Sequence, residues 1–178
     1  MLRLIFDSNS LITACKFHYQ NLPVLDYFLK NCELTIPLAV KIEVVDPGST
    51  YADAVYARSL LETWQIKVAN ISQPPNDILM HYKIGSGERE AIVLYLQMKQ
   101  DIDFLVTDDR LAYIVCDRLG INKILFLDLI VEFVRMNFLT GNQAKEVVQA
   151  IKSRYPEGFI YHTLKLLEME SQNEKSSF

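Results

Sequence analysis

Cysteine is scarce in this chain: Cys15, Cys32 and Cys116 are the only three in 178 residues, and no two are spaced as a CxxC pair. An odd count without paired spacing excludes a disulfide framework and a zinc knuckle. It points instead to a reducing compartment in which each thiol is a small buried hydrophobe. Histidine is equally sparse, and His18, His81 and His162 are too scattered to be given a catalytic part. No run approaches the roughly 18 uninterrupted apolar residues of a membrane span, and the apolar start carries Arg3 and is too short for a secretion signal. These absences lead to the expectation of a cytoplasmic protein with no membrane partner. Excess positive charge is also lacking. A net formal charge of −4 argues against bulk adhesion to nucleic acid and leaves room only for a local basic groove.

What is present is apolar: half of the residues are hydrophobic, enough to bury the core of one domain. The apolar spacing alternates between two periods. The runs "LRLIF", "ELTI", "IKVANI", "DFLVT" and "KILFL" read as five short strands. Between them "SLITACKF", "PVLDYFLK", "PLAVKIEVV", "STYADAVYARSLLETW", "EREAIVLYLQMKQ" and "DDRLAYIVCDRLG" have helical spacing, with Pro23 and Pro37 placed for first turns and Gly120 for a stop. Pro74, Pro75, Gly85 and Gly87 mark a loop around one short helix. From Asp128 onward the pattern is helical only, in three segments, and it ends in the polar "SQNEKSSF". Alternating strands and helices imply an α/β domain with a mostly parallel sheet of about five strands, followed by C-terminal helices.

Ligands of such sheets bind beyond the carboxyl ends of the strands, so acids at those ends carry functional weight. Asp7 follows the first strand, Asp108 and Asp109 follow "FLVT", Glu88 and Glu90 open the helix that leads into it, and Glu43 interrupts an apolar helix. Carboxylates converging on one pocket require a cation, and an all-oxygen set suits Mg²⁺ or Mn²⁺ rather than zinc. Each acid also has a plain reading. Asp7, Asp108 and Asp109 are all placed to cap a following helix. Glu43 resists this, because an acid on a short apolar helix is costly to bury without a partner. Glu88 shares a helix face with Ala91, Ile92 and Tyr95 and so points inward, whereas Glu90, two positions on, faces away as a helix-start partner.

Four acidic runs, "IFDSNSLI", "IPLAVKIEVV", "GEREAIVLYL" and "LVTDDRLA", occur in this order. Together they resemble the successive motifs of the PIN-domain nucleases, and the branch with a G-E-x-E-A pattern that often supplies the toxin of a toxin–antitoxin pair. The likeness spans Met1 to about Leu139. Glu88 stands where the family usually has aspartate, and Thr107-Asp108-Asp109 matches its T-x-D.

The resemblance implies a three-layer α/β/α sandwich with a PIN-like domain over 1–139, a helical extension over 140–168 packed on the same domain, and a flexible tail over 169–178. It implies a metal-dependent endoribonuclease with Asp7, Glu43, Glu88 and Asp109 as catalytic acids and metal ligands. Asp108 is the close alternate as ligand, and Ser8, Asn9 and Thr107 support the acids; the plain reading of Ser8 and Asn9 is that they only satisfy N–H groups of the following helix. Lys16, Arg89 and Arg110, near these motifs in sequence, are candidates for phosphate contacts. The expected partners are RNA, a small antitoxin and a second copy of the chain. Two other enzyme classes fit less well. A haloacid-dehalogenase-like phosphatase needs an aspartate where Asn9 stands, and a phosphoacceptor receiver needs one at the end of the third strand, where "IKVANISQ" has none. A non-catalytic RNA- or protein-binding module is the alternative that survives.

Overall fold

The computed structural model describes residues 1–47, 50–75 and 77–176. Strands β1 (Leu2–Phe6), β4 (Cys32–Pro37), β5 (Ile66–Ala69), β6 (Phe104–Val106) and β7 (Lys123–Ile124) form one five-stranded sheet in the order β5-β4-β1-β6-β7. Every pairing in it is parallel: Leu4 stands opposite Leu34 of β4 on one side and Phe104 of β6 on the other. The chain builds outward from β1 in one direction through β4 and β5, then in the other through β6 and β7. This switch of direction places the ends of β1 and β6 side by side on the sheet edge where α/β folds form sites.

The helices lie on both faces, completing a three-layer sandwich. Side chains alternate along β1, so Leu4 and Phe6 enter one core while Ile5 enters the other. The first core takes α1 (Ser8–Lys16) and α2 (Val24–Leu29). It also takes the later helices α8 (Phe126–Arg135), α9 (Gly141–Ile151) and α10 (Glu157–Ser176). Phe28 anchors it, with ring centroids 5.4 Å from Phe126 and 4.6 Å from Phe133. The second core is built on α6 (Ser86–Gln97) and α7 (Arg110–Arg118), which bring Ala91, Ile92, Tyr95 and Val115 onto the sheet. All three cysteines are free and buried.

Four local features depart from the sequence expectations. The break between α1 and α2 is a small hairpin of β2 (His18–Tyr19) and β3 (Leu22–Pro23), turned by Gln20 and Asn21 at φ 49° and 64°. Two successive left-handed residues make the tight turn that hairpins favour, but without the glycine that usually signals it. The segment after Pro37 is α-helical only over α3 (Leu38–Val40), and Lys41–Val45 widens into a π-helical turn. The fifth strand stops at Ile124, because the Phe126 N–H is taken by the Asp108 carboxylate at 3.0 Å and α8 starts there. The last helix continues to Ser176 through most of the segment expected as a flexible tail from residue 169, whose final residues, 177 and 178, lie outside the described residues.

Candidate active site

Asp7 lies one residue beyond β1, and its backbone N–H still bonds across to Val106 O of β6 at 3.2 Å. The side chain caps α1: Oδ1 accepts the Ser10 N–H at 2.7 Å. That leaves Oδ2 enclosed, and neither it nor the Thr107 hydroxyl has a hydrogen-bond partner among the described residues. The Thr107 hydroxyl is the neighbouring side chain that most favours the anion, as a hydrogen-bond donor does. Burial dominates: with the residue fully enclosed, the Asp7 carboxyl is pushed up to about 6. Capping and a second role are therefore compatible in one side chain, since the cap uses only one oxygen.

The start of α6 supplies the next acids. Its N-cap is Gly85, and the Glu88 side chain curls back over that glycine, so that a Cβ there would push the carboxylate aside. Glu88 is 9% exposed, and burial, then the charges of Glu43 and Asp109, hold its carboxyl above the ordinary range. Glu43 reaches across from the π-helical turn. One of its oxygens accepts the Ser8 hydroxyl, and the other accepts the Ser86 hydroxyl and, at 3.0 Å, the Gly87 N–H. A carboxylate at the N-terminus of a helix is favoured by the free N–H groups and the dipole there. A Cβ at Gly87 would stand 2.6 Å from the Glu43 carboxylate and closer still to the Ser8 hydroxyl, so glycine lets these two side chains keep their places. Glu90 turns the other way and accepts the Ala39 N–H at 2.9 Å, tying α6 to the start of α3.

Beyond β6 the two adjacent acids part company. Asp109 caps α7 through the Ala112 N–H at 2.6 Å and faces the Glu88 side. Asp108 points to the later helices: besides Phe126 it accepts the Tyr155 hydroxyl at 2.5 Å. Burial raises its pKa, and these two donors and the Arg154 charge offset part of the rise. Asp108 thus binds the helical extension to the acidic motif, and Asp109 is the one turned toward the other acids.

The expected basic residues separate in the same way. Lys16 is exposed at the far end of α1, about 14 Å along the axis from Asp7 at ~1.5 Å per residue. Arg89 is turned into the preceding loop, donating to the carbonyls of Ile84 at 3.0 Å and Tyr82 at 3.4 Å. Only Arg110 stays beside the acids with its head free. It lines a cavity of about 730 Å³ together with Asn9, Asp108 and Arg154. Asn9 lines this cavity and makes no hydrogen bond to Asp7. Ser86, Arg154 and Tyr155 were not singled out from sequence. Ser86 is signalled only by the small-residue run before Glu88, and the other two lie more than 40 positions from the acids they serve.

Among the described residues, no group of three or more His, Cys, Asp or Glu is gathered closely enough to hold a metal ion. The donor chemistry nonetheless suits a hard divalent cation: Asp7 offers a buried oxygen without a partner, and Glu88 is raised by two neighbouring acids, a tension that a cation relieves. Asp7, Glu88 and Asp109 have this capacity to spare, while Glu43 has both oxygens engaged.

A family model, DUF3368, described as a PIN domain, matches residues 3–168. Among solved structures, the chain is similar to a PilT N-terminus domain protein, SSO1118, from the hyperthermophilic archaeon Sulfolobus solfataricus P2. That match has 16% identity over 72% of this chain and 90% of that one, with a TM-score of 0.47. It is also similar to a domain of a functionally unknown protein from Methanocaldococcus jannaschii DSM 2661, at 21% identity over 70% of this chain and 91% of that one, with a TM-score of 0.43. No curated protein matches.

Proposed function

Because the chain belongs to the PIN-domain family, whose members are in general nucleases, we propose that it is a metal-dependent endoribonuclease that leaves a 5′-phosphate. One observation carries the reading: the enclosed, partnerless oxygen of Asp7 at the switch point of the sheet, on a carboxyl pushed up to about 6. A structural cap has no use for that second oxygen, whereas a ligand does. In this reading Asp7, Glu88 and Asp109 hold Mg²⁺ or Mn²⁺, and Glu43 joins them or positions Ser8 and Ser86. When bound, the ion supplies positive charge against the phosphodiester under attack. The chain's own groups orient the acids: Ser10 fixes Asp7, Ala112 fixes Asp109, and Ser8, Ser86 and Gly87 fix Glu43. The test is cleavage of a panel of single-stranded and structured RNAs with Mg²⁺ and with EDTA. Cutting only with the ion supports the proposal; no cutting of any RNA with Mg²⁺ or Mn²⁺ overturns it.

A binding module without turnover is favoured by one specific observation, that the acids are not gathered around an ion position among the described residues. The same cleavage panel decides, since a binder retains RNA and leaves it intact.

Finer expectations belong to the same proposal. The Gly87–Ala91 run supports a toxin role, with an antitoxin that offers basic side chains to the acids. Tyr161 and Met169, 64% and 60% exposed on α10, support a homodimer through that helix, which sedimentation tests. Among the described residues no helix is long and apolar enough to cross a membrane, and a cytoplasmic location is proposed with the rest.

A further inference from the structure

The cavity at Asp108 is lined by none of the acids proposed to hold the ion, though Asn9 and Arg110 adjoin two of them in sequence, and it has a composition that catalysis at phosphorus does not need. It shares Asn9 and Asp108 with the acidic motifs, but its walls come from α7, from the start of α8 and from the turn into α10. Tyr113, Tyr155 and Phe159 contribute rings, and Phe159 is 53% exposed. Arg110 and Arg154 stand at the same cavity, and among the described residues neither makes an ion pair or hydrogen bond. Arg154 is engaged only at a distance, by Asp108 and Tyr155. The Asn9 amide also has no hydrogen bond there. An apolar, ring-lined hollow with two unpaired guanidinium groups and one free amide matches a nucleotide. Rings stack on a base, guanidinium groups meet phosphates, and an amide reads a base edge.

We propose that this cavity receives an unpaired base of single-stranded RNA next to the phosphate under attack, with Arg110 and Arg154 on the flanking phosphates. The proposal rests on the nuclease reading for the identity of its ligand, and it goes beyond that reading by assigning a base subsite to the cavity that α7 and the turn into α10 form outside the set of metal-holding acids. A base within a duplex is stacked on both faces and cannot enter a concave site, whereas a splayed base can. The Tyr155 hydroxyl bonded to Asp108 holds the cavity wall in register with the acidic motif, so the base and its phosphate are presented together.

The test reads binding apart from cleavage. A short fluorescent RNA of mixed sequence, free or annealed to its complement, is titrated in EDTA against the full chain and against Phe159→Ala and Arg154→Gln, both exposed positions. Single-stranded RNA is expected to bind Phe159→Ala about tenfold more weakly, the usual order for one lost stacking partner. For Arg154→Gln the slope of log affinity against log salt becomes shallower by about 0.7, as for one lost phosphate contact. Melting curves matching the parent show that neither variant is unfolded. Parent-like affinity and salt slope in both variants overturn the proposal, as does equal binding of duplex and single strand. If that occurs while the parent cuts RNA with Mg²⁺, the nuclease reading stands without the cavity. Weakened binding in the variants of a parent that never cuts supports the cavity and removes the nuclease.

Discussion

Replacing Asp7 by asparagine separates the structural role of this residue from its proposed chemical one. In protein kept free of metal by EDTA, burial holds the carboxyl at about 6 against an ordinary value of 3.8. A carboxyl whose folded pKa is raised binds a proton that the unfolded chain has released. Its contribution is therefore favourable below 3.8 relative to neutral pH, and is lost as pH rises through about 6. The interval corresponds to about 3 kcal/mol against the folded state at pH 7.5. Asparagine removes that cost and keeps the cap, since its carbonyl still accepts the Ser10 N–H and the two residues cap helices equally well. Its amide nitrogen takes the place of the enclosed Oδ2, where the Thr107 hydroxyl offers an acceptor. Burying an amide takes back part of the gain, leaving about 1–3 kcal/mol and a Tm increase of roughly 3–10 °C for a chain of this size. Urea and thermal melts from pH 4 to pH 7.5 measure it: the increase should be present at pH 7.5 and shrink toward nothing at pH 4, where the parent is uncharged too. Cleavage at saturating Mg²⁺ should drop by about 100-fold or more. A variant less stable than the parent at pH 7.5, or a gain that persists at pH 4, refutes the burial argument, and unchanged cleavage refutes the catalytic one.

Glu88→Gln should abolish Mg²⁺-dependent cleavage with melting equal to or above the parent, while Glu90→Gln, which keeps an acceptor for the Ala39 N–H, should retain most activity; the reverse order of activities contradicts the assignment of helix faces. Gly87→Ala changes no acid itself, yet its methyl would press on the Ser8 hydroxyl and on the Glu43 carboxylate that the Gly87 N–H holds, so we expect a loss of about 1–3 kcal/mol in stability and a fall in activity together, read by urea melts and RNA cleavage. Tyr155→Phe removes the donor to Asp108 and should cost about 1–3 kcal/mol at pH 7.5, seen as a lower Tm; an unchanged Tm would mean that the bond contributes nothing.

The sheet was legible in the sequence because its strands are short apolar runs between helices with clear periodicity, and the parallel order follows from that alternation. The facing of Glu88 was legible for the same reason, since two positions on a helix differ by more than half a turn. Proximity in sequence was a poor guide for the cations. Lys16 is carried away by the length of α1, and Arg89, next to an acid, is drawn to the free carbonyls of the preceding loop. The wide turn that carries Glu43 was hidden, because one extra residue per turn leaves an apolar pattern almost unchanged. Asp108 and Asp109 could not be told apart either. Both are adjacent cap candidates, and what distinguishes them is Tyr155, which belongs to a different part of the chain.

The bond from Tyr155 to Asp108 also sets a clock. Asp7 is made almost at once, but β1 has to wait for β6 on one side, and Asp108 waits for a hydroxyl made nearly 150 positions after Asp7. At ~5–20 residues per second, that interval is about 7–30 s of synthesis. Until then the helical extension cannot be tied to the acidic motif, so a chain still growing on the ribosome lacks the cavity wall that Tyr155 supplies, even where the acids already have their own partners.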